Sequence, residues 1–333
     1  MVLRWRGSGI CIFLPEPGLI PGIIMKAVEI HQYGGPEVLQ YEEAPMPSIN
    51  PDDVLVRVYA TGVNPVDWKV RQGLRKDWIK SPFPLILGWD FSGVVEKVGA
   101  AVTGFKPGDE VYGRPDPSRN GTYAEYAAVR ANEISFKPHI EHVKAAGIAL
   151  AGLTAWQGIF DHGRLQMGQR VLIHGAAGGV GSFAVQLAHW KGAHVIGTAS
   201  AENESYLKEL GADEVIDYHR ERFDEKLKDI DVVFDTIGGQ VQTDSLKVLK
   251  PGGILVSTVG IKDPDALKAR GIQGVAYMAK SYPDQLKDLA GLIDEGVIKP
   301  VISQVMPLKD AAKAHALSEQ GHTKGKIILK VAG

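Results

Sequence analysis

The stretch that decides the fold is Val171-Leu172-Ile173-His174-Gly175-Ala176-Ala177-Gly178-Gly179-Val180-Gly181. It joins an apolar strand to a glycine-rich turn, and an amphipathic helix is predicted directly after it. Glycines here let the backbone turn tightly and admit a pyrophosphate with no Cβ in the way, while the helix N-terminus faces the anion. The stretch therefore predicts a dinucleotide site, with Gly178, Gly179 and Gly181 best placed to form it. The alternative is a tight turn that binds no ligand.

The same alternation of strand and helix fills most of the second half of the chain. Predicted helices 182–191 and 204–210 end before Gly192 and Gly211, which suit the first position after a helix. Short apolar strands between amphipathic helices are typical of βαβ units, so we predict an α/β fold with one doubly wound Rossmann sheet. Its six predicted strands are 171–174, 194–198, 214–217, 231–236, 254–259 and 271–276.

The first half of the chain has a different sequence pattern, in which short segments rich in β-forming residues are separated by glycine and proline. This pattern predicts an irregular, mostly antiparallel barrel or sandwich, with strands at 26–30, 54–62, 93–98, 110–112 and 123–129. After residue 282 we expect a helix to about 295, a strand at 299–305, a helix at 308–319 and a strand at 326–331. The predicted organisation is an extension (1–24), a substrate domain (25–150), a Rossmann domain (151–281) and a segment returning to the substrate domain (282–333).

The composition is that of an ordinary soluble protein of about two domains. With 37 basic and 39 acidic residues there is no net field to gather nucleic acid or anionic lipid. Cys11 is the single cysteine, which excludes an intrachain disulfide and favours a reducing, cytoplasmic setting. The apolar run at 10–14 is too short for a signal peptide, and no segment has transmembrane length. We expect residues 1–24 to have no function.

The choice of cofactor is predicted from the end of the second Rossmann strand. Enzymes specific for NAD place an acidic residue there to bind the ribose hydroxyls. Here the strand ends in Gly197-Thr198-Ala199-Ser200, with no carboxylate before Glu202, which favours NADPH. Thr198, Ser200 and Tyr218 are the candidate contacts at this end, although no Lys or Arg stands at the strand tip. The other candidates at the carboxyl edge of the sheet are Ile237, Gly238, Val259 and Gly260.

Five separated motifs resemble, in the same order, the quinone oxidoreductase and alkenal/one reductase branch of the medium-chain dehydrogenase/reductase superfamily. They span residues 88–93, 106–112, 121–126, 176–181 and 324–326. The resemblance covers residues 25–331 and implies a GroES-like substrate domain beside the Rossmann domain. It also implies NADPH-dependent reduction of quinones or of the C=C bond of α,β-unsaturated carbonyls. Relatives commonly pair Rossmann-sheet edges, so we expect a homodimer in which strand 271–276 is the edge.

Zinc-dependent alcohol dehydrogenases share this architecture, and the residues here argue against their metal. Asn64 stands where their first cysteine ligand would be, Trp89-Asp90 replaces their His-Glu pair, and their cysteine lobe is missing. Catalytic zinc needs three ligands of Cys, His or carboxylate type, and this site offers at most Asp90. We therefore predict no metal. The ten histidines show no ligand spacing and are expected to be satisfied or on the surface.

The resemblance places Asn64 and Lys69 nearest the chemistry. Asn64 could offer its amide to cofactor or substrate, or be only a turn residue before Pro65. Some quinone reductases have a tyrosine at the position of Lys69, so the proton donor stays open, and a solvated or phosphate-directed lysine is the alternative. Resemblance also assigns cofactor contacts to Thr154, to Lys326 and to the loop residues Ala177, Gly178, Gly179, Val180 and Gly181. For Lys326 the alternative is a basic residue that only precedes an edge strand.

Two other functions remain open at this stage. One is an enoyl-thioester reductase of the same branch, which would need an opening for a pantetheine arm. The other is a low-turnover NADPH-binding protein that serves as a sensor or structural protein. The sequence does not settle the first alternative. The glycine loop predicts NADPH binding both in a reductase and in a sensor or structural protein, so consumption of NADPH with an enone separates those two.

Overall fold

The computed structural model describes residues 19–77, 79, 82–321 and 323–332, so Cys11 and most of the predicted extension lie outside the described residues. The strands are β1 (Leu19–Ile30), β2 (Gln40–Pro47), β3 (Asp53–Val63), β4 (Leu85–Ile86), β5 (Phe91–Val98), β6 (Glu110–Gly113), β7 (Tyr126–Arg130), β8 (Ile134–Phe136), β9 (Arg170–Ile173), β10 (His194–Ala199), β11 (Glu214–Asp217), β12 (Ile230–Asp235), β13 (Leu249–Ser257), β14 (Gln273–Ala276), β15 (Ile302–Pro307) and β16 (Lys326–Lys330).

Short and medium helices connect these strands. The α-helices are α1 (Pro65–Arg71), α2 (His142–Ala145), α3 (Ala149–Trp156), α4 (Gly179–Trp190), α5 (Glu204–Glu209), α6 (Phe223–Lys226), α7 (Gly239–Ser245), α8 (Pro264–Ala269), α9 (Pro283–Asp294) and α10 (Ala311–Glu319). One turn of π-helix, Gln157–His162, continues α3. As predicted, α4 and α5 are each followed by a left-handed glycine, Gly192 at φ +79° and Gly211 at φ +101°.

The Rossmann sheet has six parallel strands in the order β11-β10-β9-β12-β13-β14. The strand order reverses between β9 and β12, which opens a crevice at their carboxyl ends. Every residue of β12 is buried, as expected when helices cover both faces of a parallel sheet. The predicted α/β fold and its six strands are thus confirmed. The main difference is β13, which begins at Leu249, five residues before the predicted start.

The β-rich part forms a three-stranded sheet, β2-β1-β4, and a mainly antiparallel seven-stranded sheet, β15-β16-β3-β5-β6-β8 with β7 on β3. β1 begins at Leu19 rather than at residue 26, and β7 begins at Tyr126 rather than at 123. β2 was not predicted, because its sequence, QYEEAPMP, lacks the β-branched alternation of a strand.

The C-terminal segment leaves the Rossmann sheet and joins the β-rich part. β16 pairs antiparallel with β3, with Ile327 opposite Val63, and β15 pairs parallel with β16. This pairing brings the last strand of the chain beside the start of α1. Within the described residues, no helix combines the length and the apolar character needed to cross a membrane.

Candidate active site

A cavity of about 1070 Å³ runs from the β-rich part across the carboxyl ends of the Rossmann strands. Most of the predicted site residues line it, and Gly238 and Gly260 do not. The predicted residues that line it are Asn64, Lys69, Thr154, Ala177, Gly178, Gly179, Val180, Gly181, Thr198, Ser200, Tyr218, Ile237, Val259 and Lys326.

The glycine loop has the shape that a dinucleotide needs. A Cβ on Gly181 would meet the carbonyl oxygen of Gly175 at 2.2 Å, so this glycine permits the close approach of α4 to the loop. A Cβ on Gly178 would meet only that same oxygen, at 3.4 Å. Gly178 therefore presents bare backbone to the cavity beside the N-terminus of α4. These residues fit the pyrophosphate of a dinucleotide.

Gly238 and Gly260 shape turns instead of lining the cavity. Gly238 has φ +78°, and its N–H donates to Oδ1 of Asp235 at 2.8 Å. Gly260 has φ +99°, and its carbonyl accepts from Nε2 of Gln242 at 2.8 Å. Both glycines therefore hold the loops after β12 and β13, from which Ile237 and Val259 reach the cavity.

The C-terminal segment crosses directly over the glycine loop. The N–H of Gly325 donates to the carbonyl oxygen of Ala177 at 2.9 Å. Gly325 has φ +71°, and a Cβ there would meet the carbonyl oxygen of Val301 at 2.4 Å, so only glycine fits this crossing. The crossing delivers Lys326 to the point where the two parts of the cavity meet.

Lys326 is buried, and its ammonium is held by three oxygens. It donates to Oδ1 of Asn64, to the carbonyl of Val63 at 3.2 Å and to Oδ2 of Asp90 at 3.1 Å. The lysine is 4% exposed and Asp90 0%. An ammonium has three protons, so this set of acceptors uses all of them. Lys326 lines the predicted cofactor cavity, but its charge is already directed at protein oxygens.

Asp90 is the acid of this cluster. Burial raises the pKa of its carboxyl, and the nearby charge of Lys326 opposes the rise. Its Oδ1 accepts the N–H of Leu150 at 3.3 Å, at the start of α3. Sequence reasoning considered Asp90 only as a metal ligand, because its lysine partner comes from the far end of the chain.

Asn64 is the N-cap residue of α1, and hydrogen bonds of this cap hold its backbone in place. Its N–H donates to Oδ2 of Asp67 at 2.8 Å, and the hydroxyl of Tyr123 donates to the same oxygen at 2.8 Å. Burial raises the pKa of Asp67 to about 7. The Nδ2 of Asn64 makes only long bonds, at 3.3 Å to the carbonyl of Gly62 and 3.4 Å to Asp90. Bonds of this length are weak, which leaves the amide a donor for a ligand.

Lys69 lies at the same end of the cavity, on α1. Burial lowers the pKa of its ammonium, and the positive charge of Arg75 lowers it further. Its Nζ is 5.3 Å from the ring centroid of Trp68. A lysine with a lowered pKa gives up a proton more readily near neutral pH.

Thr154 and Tyr277 also line the cavity and contact each other. The Thr154 hydroxyl donates to the carbonyl of Leu150 at 2.6 Å, and the Tyr277 hydroxyl donates to the carbonyl of Thr154. Tyr277 and Arg114, which also lines the cavity, were missed by the sequence analysis. Each follows a strand and belongs to no motif, so only the sheet topology reveals it.

The far end of the cavity holds the candidate 2′-phosphate contacts. The Ser200 hydroxyl donates to Glu202 at 3.2 Å and accepts from Asn203 at 2.9 Å, while Tyr218 is 52% exposed. Arg222 also lines this end, and its guanidinium lies 3.0 Å from the carboxylate of Asp224. Sequence analysis missed this basic residue because it comes from the loop after β11 instead of the tip of β10.

The residues of the cavity do not suit a catalytic zinc ion. In the part of the chain that the structure describes, no three His, Cys, Asp or Glu side chains converge there. Asn64 and Asp90 are instead bound by the ammonium of Lys326. His174 is satisfied as predicted, with Thr198 Oγ1 at 3.1 Å and Ser245 Oγ at 2.9 Å.

Comparison with known proteins decides the family. A model described as alcohol dehydrogenase GroES-like domain matches residues 50–139, and one described as zinc-binding dehydrogenase matches residues 210–329. The NADPH-dependent alkenal/one oxidoreductase of Arabidopsis thaliana chloroplasts is 39% identical over 92% of this chain and 79% of its own length. The chain belongs to the medium-chain dehydrogenase/reductase superfamily.

Two further relatives support a nicotinamide-dependent oxidoreductase of this superfamily. The mitochondrial NAD(P)H oxidoreductase RTN4IP1 of Mus musculus is 36% identical, over 92% of this chain and 89% of its own. The Escherichia coli quinone oxidoreductase solved with NADPH is 30% identical, with a TM-score of 0.84, over 92% of this chain and 99% of its own. The predicted branch and the Rossmann and GroES-like architecture are confirmed. The family description mentions zinc, but the donor set of this cavity does not fit a catalytic ion.

Proposed function

We propose that this protein is an NADPH-dependent, zinc-independent reductase of quinones or of the C=C bond of α,β-unsaturated aldehydes and ketones. The observation that carries the proposal is the junction in the cavity, where the glycine loop meets Asn64 and the Lys326–Asp90 pair. A cofactor bound on the loop would reach that junction. When bound, NADPH supplies a hydride to the electrophilic carbon of the substrate.

Residues of the chain position the substrate, stabilise the negative charge that develops on it and supply a proton. The Asn64 amide donates a hydrogen bond to the substrate oxygen, on which negative charge grows as the hydride arrives. The Lys326 ammonium holds Asn64 through its Oδ1, which aims the Nδ2 donor. Lys69, with its lowered pKa, supplies the proton that completes the product. Thr154 supports the cofactor from α3.

Steady-state consumption of NADPH tests the proposal. The acceptors are a quinone, a short 2-alkenal, an alkenone and an enoyl thioester, each with and without a zinc chelator. We expect turnover with the quinone or the enones and no effect of the chelator. Turnover confined to the enoyl thioester would favour a thioester reductase. Tight NADPH binding without any turnover would favour a sensor or structural protein that binds NADPH.

Preference for NADPH over NADH is part of the proposal. Its support is the hydroxyl groups of Ser200 and Tyr218 at the far end of the cavity, joined there by the guanidinium of Arg222. The opposing feature is the carboxylate of Glu202, which already accepts from Ser200. Equal values of kcat/KM with the two cofactors would reject the preference.

We further propose a homodimer in a cytoplasmic setting. β14 ends the Rossmann sheet in the order of strands, with β13 on one side, so its other edge can extend the sheet into a second copy. Light scattering at micromolar concentration should give twice the chain mass, and a monomer mass would reject the dimer. Fractionation of the source cells tests the location, since relatives include mitochondrial and chloroplast proteins.

A further inference from the structure

Three potential metal ligands converge on the β1–β2 hairpin, outside the catalytic cavity. Glu29, His31 and Glu42 each present one ligand atom, and these atoms all lie within 4.8 Å of one another. None of the three residues lines the cavity. The histidine spacing gave no signal in the sequence, because Glu42 belongs to the neighbouring strand.

Strand register explains how the three side chains meet. Side chains of a strand alternate between its faces, so Ala27 and Glu29 share one face of β1, and His31 follows directly after the strand ends at Ile30. Glu42 lies opposite Ala27 in the antiparallel pair and so shares that face too. His31 Nε2 lies 2.5 Å from Glu42 Oε1. Backbone pairing therefore brings Glu29 and Glu42 onto one face, and the contact of His31 with Glu42 adds the imidazole.

Glu29 is the unusual member of the trio. It lies on β1, the middle strand of the β2-β1-β4 sheet, and is only 6% exposed. Within the described residues, its carboxylate has no hydrogen-bond donor and faces the carboxylate of Glu42. Burial raises the pKa of Glu29, Glu42 raises it further, and His31 acts in the opposite direction. A buried carboxylate aimed at a second one needs a proton or a cation between them.

We propose that Glu29, His31 and Glu42 form a binding site for a divalent transition metal ion, for which Zn²⁺ is the matched probe. Carboxylate oxygens and imidazole nitrogens are both zinc ligands, and three of them leave the fourth tetrahedral position to water. The imidazole favours zinc over magnesium or calcium, which prefer oxygen ligands. A bound ion neutralises the two carboxylates and ties β1 to β2.

Zinc titration of the full chain, after treatment with a chelator, tests the site by calorimetry. We expect one Zn²⁺ per chain and a rise in the melting temperature on binding. Glu42→Gln and His31→Asn each remove one ligand and leave the buried Glu29 in place. Each should weaken zinc binding by at least about tenfold, since even loss of an outer partner of a metal site commonly has that effect.

Two control variants separate this site from general surface binding. Glu43→Gln changes the neighbouring carboxylate, which lies 3.2 Å from Lys26 instead. Glu214→Gln changes the carboxylate of a different Glu–His pair, in which Glu214 Oε1 lies 2.7 Å from His194 Nε2. Both should retain wild-type zinc affinity. Failure to bind one equivalent, or equal loss in the controls and the ligand variants, overturns the proposal. NADPH turnover should be unchanged in Glu42→Gln, so the two proposals fail separately.

Discussion

Nζ of Lys326 lies 3.1 Å from Oδ2 of Asp90, across a sequence separation of 236 residues, and both residues are buried. This pair joins the last strand of the chain to the start of β5 and holds Asn64 between them. The positive charge at this point of the cavity is therefore the ammonium of Lys326, and all three of its hydrogen-bond acceptors are protein oxygens.

Lys326→Met should destabilise the protein strongly, because it leaves Asp90 buried without its cation. Breaking a buried pair in this way typically lowers the free energy of unfolding by about 3–5 kcal/mol. Adding Asp90→Asn removes the stranded charge and should recover part of that loss. Denaturant unfolding of the single and double variants measures both. A double variant no more stable than Lys326→Met would show that the pair is not the source of the effect.

Gly178→Ala should weaken NADPH binding without harming the fold. Gly178 has φ −74° and ψ 178°, which alanine adopts freely, and its Cβ would point into open cavity. The methyl group would then occupy the path of the pyrophosphate, and we expect a loss of about tenfold or more in affinity, or about 1.4 kcal/mol.

Fluorescence titration with NADPH measures this loss. Gly291→Ala is the matched control, since a Cβ on Gly291 meets nothing within 4 Å and Gly291 lies on α9, outside the lining of the cavity. Unchanged affinity in Gly178→Ala would mean that the cofactor does not cross this loop.

The sequence predicted the Rossmann sheet well because its signals are local. The apolar strands, the glycine loop and the glycines after α4 and α5 each depend on a few adjacent residues. β2 escaped prediction because Glu and Pro fill positions where a strand usually carries β-branched residues. The zinc-free interpretation came from Asn64, from Trp89-Asp90 and from the missing cysteine lobe, and it stays a prediction.

The site was harder to predict than the sheet. The contact of Lys326 with Asn64 and Asp90 depends on β16 pairing with β3, which no sequence pattern shows. The hydrogen bond from the Tyr277 hydroxyl to the carbonyl of Thr154 likewise joins residues 123 positions apart in the sequence. Gly238 and Gly260 were placed at the cofactor because they follow parallel strands. The structure places both in turns and outside the lining of the cavity, and their contact with a cofactor stays a prediction.

Asn64→Ala should lower kcat about 10²-fold, as loss of one donor to a developing oxyanion does in other enzymes. Affinity for NADPH should change little, because the donor acts on the substrate. Asn50→Ala is the control, because it also removes an asparagine that donates to a carboxylate, Asp53 Oδ2 at 2.9 Å, but in a surface turn. It should leave kcat unchanged. Equal kcat in the wild type and Asn64→Ala would remove Asn64 from the chemistry.

The pH dependence of kcat tests Lys69 as the proton donor. The donor must be protonated, so kcat should fall as pH rises through its pKa, which burial and Arg75 place below the usual lysine range. Lys69→Arg keeps the charge but holds its proton to much higher pH. This variant should have a lower kcat and no such alkaline limb. Lys76→Arg, at an exposed position nearby, is the control. An unaltered pH profile in Lys69→Arg would assign the proton to another group.

The position of the transferred hydride in the product is the most direct test of the proposed C=C reduction. The protein is given NADPH deuterated at the transferring carbon together with a short 2-alkenal, and the product is analysed by NMR. We expect a saturated aldehyde with deuterium on the β-carbon, because in the proposed function Asn64 stabilises the charge that grows on the carbonyl oxygen. Deuterium on the carbonyl carbon of an unsaturated alcohol would contradict it, since that product requires reduction of the carbonyl group instead.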